Sequence, residues 1–142
     1  MNIKRWIQNN LKFAQANQLT PLLPALASAA QGVYNEWDQS GEDGDPTLGF
    51  GGICQDVAEA MAGVLASHGF EASSVSAAHG DQHVFVVTAL ADGVYMVDIS
   101  PYQYETGAGY AWKKLPDITF SPDMIEITKV SNDPNSFNDF LE

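Results

Sequence analysis

The periodicity of this chain switches at Gly69, and that switch limits the folds open to it. From Ile53 to His68 apolar residues recur at helical spacing, with Val57, Met61, Val64 and Leu65 on one stripe that also holds Cys54. Asp56 and Glu59 occupy the first turns, where the helix dipole favours anions, and Gly69 suits the residue after a helix end. His68, in the last turn, reads as a capping residue. Beyond Gly69 a period of two takes over. Phe70 to Ala77 reads as a strand of small residues, and His79-Gly80-Asp81-Gln82 as a turn. His83 to Leu90 is apolar nearly throughout and reads as a strand buried on both faces. Asp92-Gly93 marks a hairpin, Val94 to Ser100 is the return strand, and Pro101 ends it. Residues 110–114 and 124–130 read as further strands. A helix running into successive antiparallel strands predicts an α+β fold, with the Cys54 helix packed on an antiparallel β-sheet that carries His83 and Asp98.

The flanks fit one domain over residues 1–142. Ile3, Trp6, Ile7, Leu11 and Ala14 predict a helix over 3–16. Thr20-Pro21 opens a second helix, with Thr20 as N-cap and Leu22, Leu26, Ala29, Val33 and Trp37 as its stripe. Residues 1–37 are thus a helical N-terminal part, 38–50 an acidic loop, 51–130 the core and 131–142 a tail, in which Phe137, Phe140 and Leu141 are candidates to dock. The loop is rich in Gly, Pro and Asp. Aligned as a calcium loop from Glu36 it puts Gly41 correctly, but Asp43 and Thr47 stand where an apolar residue and a bidentate Glu are needed.

Charge narrows the partners. The formal net charge is -12, and the six basic residues are Lys4, Arg5, Lys12, Lys113, Lys114 and Lys129. No Lys or Arg lies between Phe13 and Trp112. Nucleic acid and anionic membranes need cations, so both are disfavoured, and a neutral or cationic protein or peptide is favoured. The N-terminus lacks the apolar core of a signal peptide, and no run of residues is apolar enough to span a bilayer. One cysteine makes no internal disulfide. A cytoplasmic protein, or one exported without a cleaved signal, is the expectation; the oligomeric state is left open.

The residues with chemistry fall in the core. A thiol at a helix start, reached through Gly51-Gly52, is placed to act as a nucleophile if a base and an orienting acceptor stand beside it. His83 and Asp98, on adjacent strands, are the candidates. Register provides a test. A tight Asp92-Gly93 turn sets Val87 opposite Asp98, whereas a four-residue loop from Ala89 to Asp92 sets His83 there, so a working His83–Asp98 pair predicts the looser hairpin. Taken singly each residue has a plainer role: a buried small thiol, a hydrogen-bonded strand-start histidine, a turn-capping aspartate. His79 is a second candidate base, and His79, Asp81 and His83 with Cys54 are a candidate metal set.

Gly51-Gly52-Ile53-Cys54-Gln55-Asp56, then Leu65 to Phe70, His83-Val84-Phe85-Val86-Val87 and Tyr95-Met96-Val97-Asp98, resembles the core of transglutaminase-like and papain-like cysteine enzymes, and is similar also to that of the arylamine N-acetyltransferases. The resemblance covers about residues 50–100. It implies Cys54 as nucleophile, His83 as base, Asp98 as orienter, and backbone N–H groups of Gly52 and Cys54 as an oxyanion hole. Gln55, Tyr102, Tyr104 and Trp112 are cleft candidates. It implies a hydrolase or acyltransferase working through an acyl-thioester, with no cofactor and no metal. Phe50 stands where the acetyltransferases usually carry Arg, and the cation-free core offers coenzyme A phosphates nothing, which points to an amide of a protein or peptide. The rival from another class is a non-catalytic acidic inhibitor that engages a basic partner.

Overall fold

The computed structural model describes residues 18–37, 53–76, 83–106 and 113–141. The helix expected over 3–16, the 38–50 loop and the 79–82 turn lie outside the described residues. The described part is α+β, with helices packed on an antiparallel sheet.

Helix α1 (Leu23–Glu36) is entered through a 3-10 turn, Thr20–Leu22. Thr20 is not its N-cap. Leu22 holds that position without a side-chain cap, and Pro21 and Pro24 preset the first turns instead. The buried face is Leu26, Ala27, Ala30 and Tyr34, running on to Trp37. The stripe read from sequence is therefore rotated: Leu22 and Val33 are only partly buried, and Ala29 lies off the buried face. The alanines face inward because α1 packs against α2, where small side chains permit close approach. Helix α2 (Cys54–Ser67) buries Val57, Ala58, Met61, Ala62 and Leu65. It stops at Gly69, whose φ of +88° suits glycine, and His68 Nδ1 lies 2.8 Å from the Val64 carbonyl oxygen.

Strands β1 (Glu71–Ser76), β2 (Val84–Leu90), β3 (Gly93–Ile99) and β6 (Ile125–Ser131) form one antiparallel sheet in that order. Strands β4 (Glu105–Thr106) and β5 (Lys113–Lys114) pair separately, with Glu105 opposite Lys114. The two faces of β2 are both covered. Val84, Val86 and Leu90 join Tyr95, Val97 and Ile99 under the helices. Phe85, Val87 and Ala89 join Val75 and Val94 under a 3-10 segment, Pro134–Leu141, where Phe137 is buried, Phe140 is partly packed and Leu141 is exposed.

The β2–β3 hairpin is tight, not loose. Leu90 pairs with Gly93, leaving Ala91 and Asp92 as a two-residue turn. Gly93 belongs to the return strand because β6 crowds it: a Cβ there would stand 2.1 Å from the Ser131 carbonyl oxygen. Asp92 anchors the turn, accepting hydrogen bonds at Oδ2 from the Tyr95 hydroxyl (2.8 Å) and the Lys129 ammonium (3.2 Å). Among the described residues no helix is long and apolar enough to cross a membrane.

Candidate active site

Cys54 is the first residue of α2, partly buried, and Ile53 before it is the N-cap, fully buried. Isoleucine has no side-chain acceptor, so the N-cap residue makes no capping hydrogen bond of its own. The partial positive charge of the N-terminus thus falls on the thiol.

His83 stands one residue before β2, outside the last β1–β2 pair, Ser76 with Val84. Its Nε2 lies 2.8 Å from Asp98 Oδ2. The tight hairpin makes this bond diagonal. Extending the register from Val86 opposite Val97 puts Phe85, not His83, opposite Asp98. Diagonal neighbours on one sheet face are about 7–8 Å apart, a gap that an imidazole and a carboxylate together span. Phe85 fills the space beside them, its ring centroid 6.0 Å from that of His83. The looser hairpin was therefore not needed for the pair to form.

The histidine is pushed up to about 10, first by the Asp98 hydrogen bond and second by a hydrogen bond to Cys54, with burial working against both. It is an imidazolium at neutral pH. With Nε2 committed to Asp98, Nδ1 is the ring nitrogen left for the thiol; it is buried, with no other hydrogen-bond partner among the described residues. Strand alternation assigns Asp98 to the sheet face opposite the helices, whereas α2 packs on the helix face. The His83 ring, at the strand end, links the two.

Two more residues join this cluster. Glu105 is 2% exposed; its carboxylate accepts a hydrogen bond from the Ile53 backbone, while Oε2 is buried without a partner among the described residues. Burial pushes its carboxyl up to about 7, against the Ile53 bond and the field of His83. Tyr104 is fully buried, its hydroxyl without a partner among the described residues. Burial first, then the charges of Glu105, Cys54 and Asp98, hold its phenol far above the usual range. Tyr104 was a cleft candidate; Glu105 was missed. Nothing in Tyr102-Gln103-Tyr104-Glu105 is periodic, and the only signal was indirect: a chain without Lys or Arg from Phe13 to Trp112 gives an acid buried there few cations to meet.

Other candidates are placed elsewhere. Gln55 is exposed and donates to Glu59 at 3.1 Å. Tyr102 is 74% exposed on the short Pro101–Gln103 turn. Gly52, His79, Asp81 and Trp112 lie outside the described residues. Among the described residues no group of His, Cys, Asp and Glu has metal-holding geometry. Comparison with known proteins adds no family: no family model, no curated protein and no solved structure matches this chain.

Proposed function

We propose that this protein is a cysteine-nucleophile hydrolase or acyltransferase with a papain-like or transglutaminase-like core, acting on an amide of a protein or peptide. The observation that carries the reading is the His83 ring, bonded at Nε2 to Asp98 over 2.8 Å and coupled also to the Cys54 thiol. Nucleophile, base and orienter are the three parts such chemistry needs, and Asp98 holds the ring in one orientation.

The steps follow from those parts. His83 already holds the proton of the Cys54–His83 pair, and the Cys54 sulfur attacks the carbonyl carbon. The oxyanion is stabilised by N–H groups at the start of α2. As the C–N bond breaks, the imidazolium delivers its proton to the departing nitrogen, leaving an acyl-thioester. Water then attacks while His83 takes its proton, and the sulfur leaves. An amine in place of water completes transamidation by the same route, so the residues are common to proteolysis, deamidation and acyl transfer. The net charge of -12 favours a neutral or cationic substrate.

Iodoacetamide alkylation tests this. Cys54 should react below the pH at which a model thiol does, and His83→Ala should abolish the difference. If Cys54 labels no faster than the model thiol in the native protein, the enzymatic reading fails and that of an acidic binding protein replaces it.

A further inference from the structure

We propose that Glu105 is a positioning residue of this site, fixing the start of α2 through the Ile53 N–H and placing a second anion in the surroundings of His83. The inference rests on the acyl-transfer reading. At 2% exposed, Glu105 is out of reach of a substrate, so it acts through its neighbours.

The geometry has a local counterpart. In a capping box, a Glu at the third helical position reaches back to the N-cap N–H. In α2 the N-cap residue is Ile53, and its N–H donates to Glu105, on β4. The residue before the nucleophile is thereby tied to a different part of the fold. His83 acts on Glu105 from the start of β2, and Tyr104, the residue before it, feels its charge. Its ladder partner Lys114 donates to the Trp37 carbonyl at 2.9 Å and lies over the Tyr34 ring. A carboxyl desolvated in this way, with one oxygen unpartnered among the described residues, costs stability, and such groups gather where they act on a neighbour. Its ionisation near 7 makes that action pH-dependent.

Glu105→Gln keeps an acceptor for the Ile53 N–H and removes the charge, whereas Glu105→Ala removes both. The readouts are the titration of the His83 ring by NMR, and the rate of Cys54 alkylation by iodoacetamide from pH 5 to 9. Glu105→Gln should remain folded, move the His83 titration to lower pH, and erase an inflection near pH 7 in the wild-type alkylation profile. Glu105→Ala should lower the Tm besides; if it does not fold, Glu105→Gln still decides. Superimposable titrations and profiles for Glu105→Gln and wild type overturn the proposal, provided His83→Ala changes the profile. If His83→Ala changes nothing, the acyl-transfer reading falls first, and this one with it.

Discussion

The two ends of the β2–β3 hairpin each carry an aspartate in an ion pair, and they differ in one respect that matters. At the turn, Asp92 holds Lys129 at 3.2 Å and the Tyr95 hydroxyl at 2.8 Å. At the open end, Asp98 holds His83 at 2.8 Å. Both aspartate side chains are 13% exposed. Side-chain exposure is thus matched, and the cations differ. The ordinary range of a lysine ammonium lies far above neutral pH. The charge of His83 exists because Asp98 and Cys54 raise it, and its proton can be handed on. The turn pair tethers two strands; the open-end pair is equipped to move a proton.

Four measurements break or sharpen that contrast. The largest effect is expected at His83. His83→Ala should slow alkylation of Cys54 at pH 6.5 about a hundredfold, since a free cysteine is on the order of 1% thiolate there. Asp92→Asn should leave the rate unchanged, and an equal loss in both variants would erase the distinction.

Stability against pH comes next. The Glu105 carboxyl is raised from 4.5 to about 7, so its proton favours the folded state. That contribution is whole below pH 4.5 and is lost as pH rises through 7. The full shift corresponds to about 3 kcal/mol, and relaxation around the charge brings the expected loss to about 2 kcal/mol. His83, raised from 6.5 to about 10, has the same sign: its contribution is present below 6.5 and lost as pH rises through 10. Urea unfolding at pH 5, 7 and 9 should give falling stability, and Glu105→Gln should flatten the first interval only.

Asp98→Asn follows. It should lower the His83 titration, because the Asp98 bond is the first cause of its elevation, and slow alkylation at pH 6.5 by roughly tenfold. Smallest is Lys129→Met, which should cost about 1 kcal/mol of stability by urea titration and leave alkylation untouched.

Much of this arrangement is legible in the amino-acid order. The stripe Val57, Met61 and Leu65 and the stop at Gly69 define α2, and the apolar run of β2 defines a strand covered on both faces. What escapes is set by residues distant in sequence. Asp92-Gly93 has the composition of a hairpin turn, yet Gly93 is needed in the strand because Ser131 leaves no room for a Cβ. That displaced the register by two residues and turned a facing pair into a diagonal one. The buried face of α1 was misread because its alanines turn toward α2. Glu105 owes its place to Ile53, a contact no local pattern announces.

The diagonal pair has a consequence in time. Asp98 sits in the sheet opposite Glu126 of β6, so its backbone shares the slow breathing of the ladder. His83 lies beyond the last β1–β2 pair, and its ring is steered by side-chain bonds alone. Rotamer hops of such a ring take picoseconds to nanoseconds once those bonds let go, whereas moving the Asp98 backbone requires strands to part. The protein therefore keeps a still anvil and a quick hammer, and the proton that His83 carries decides when the hammer is held.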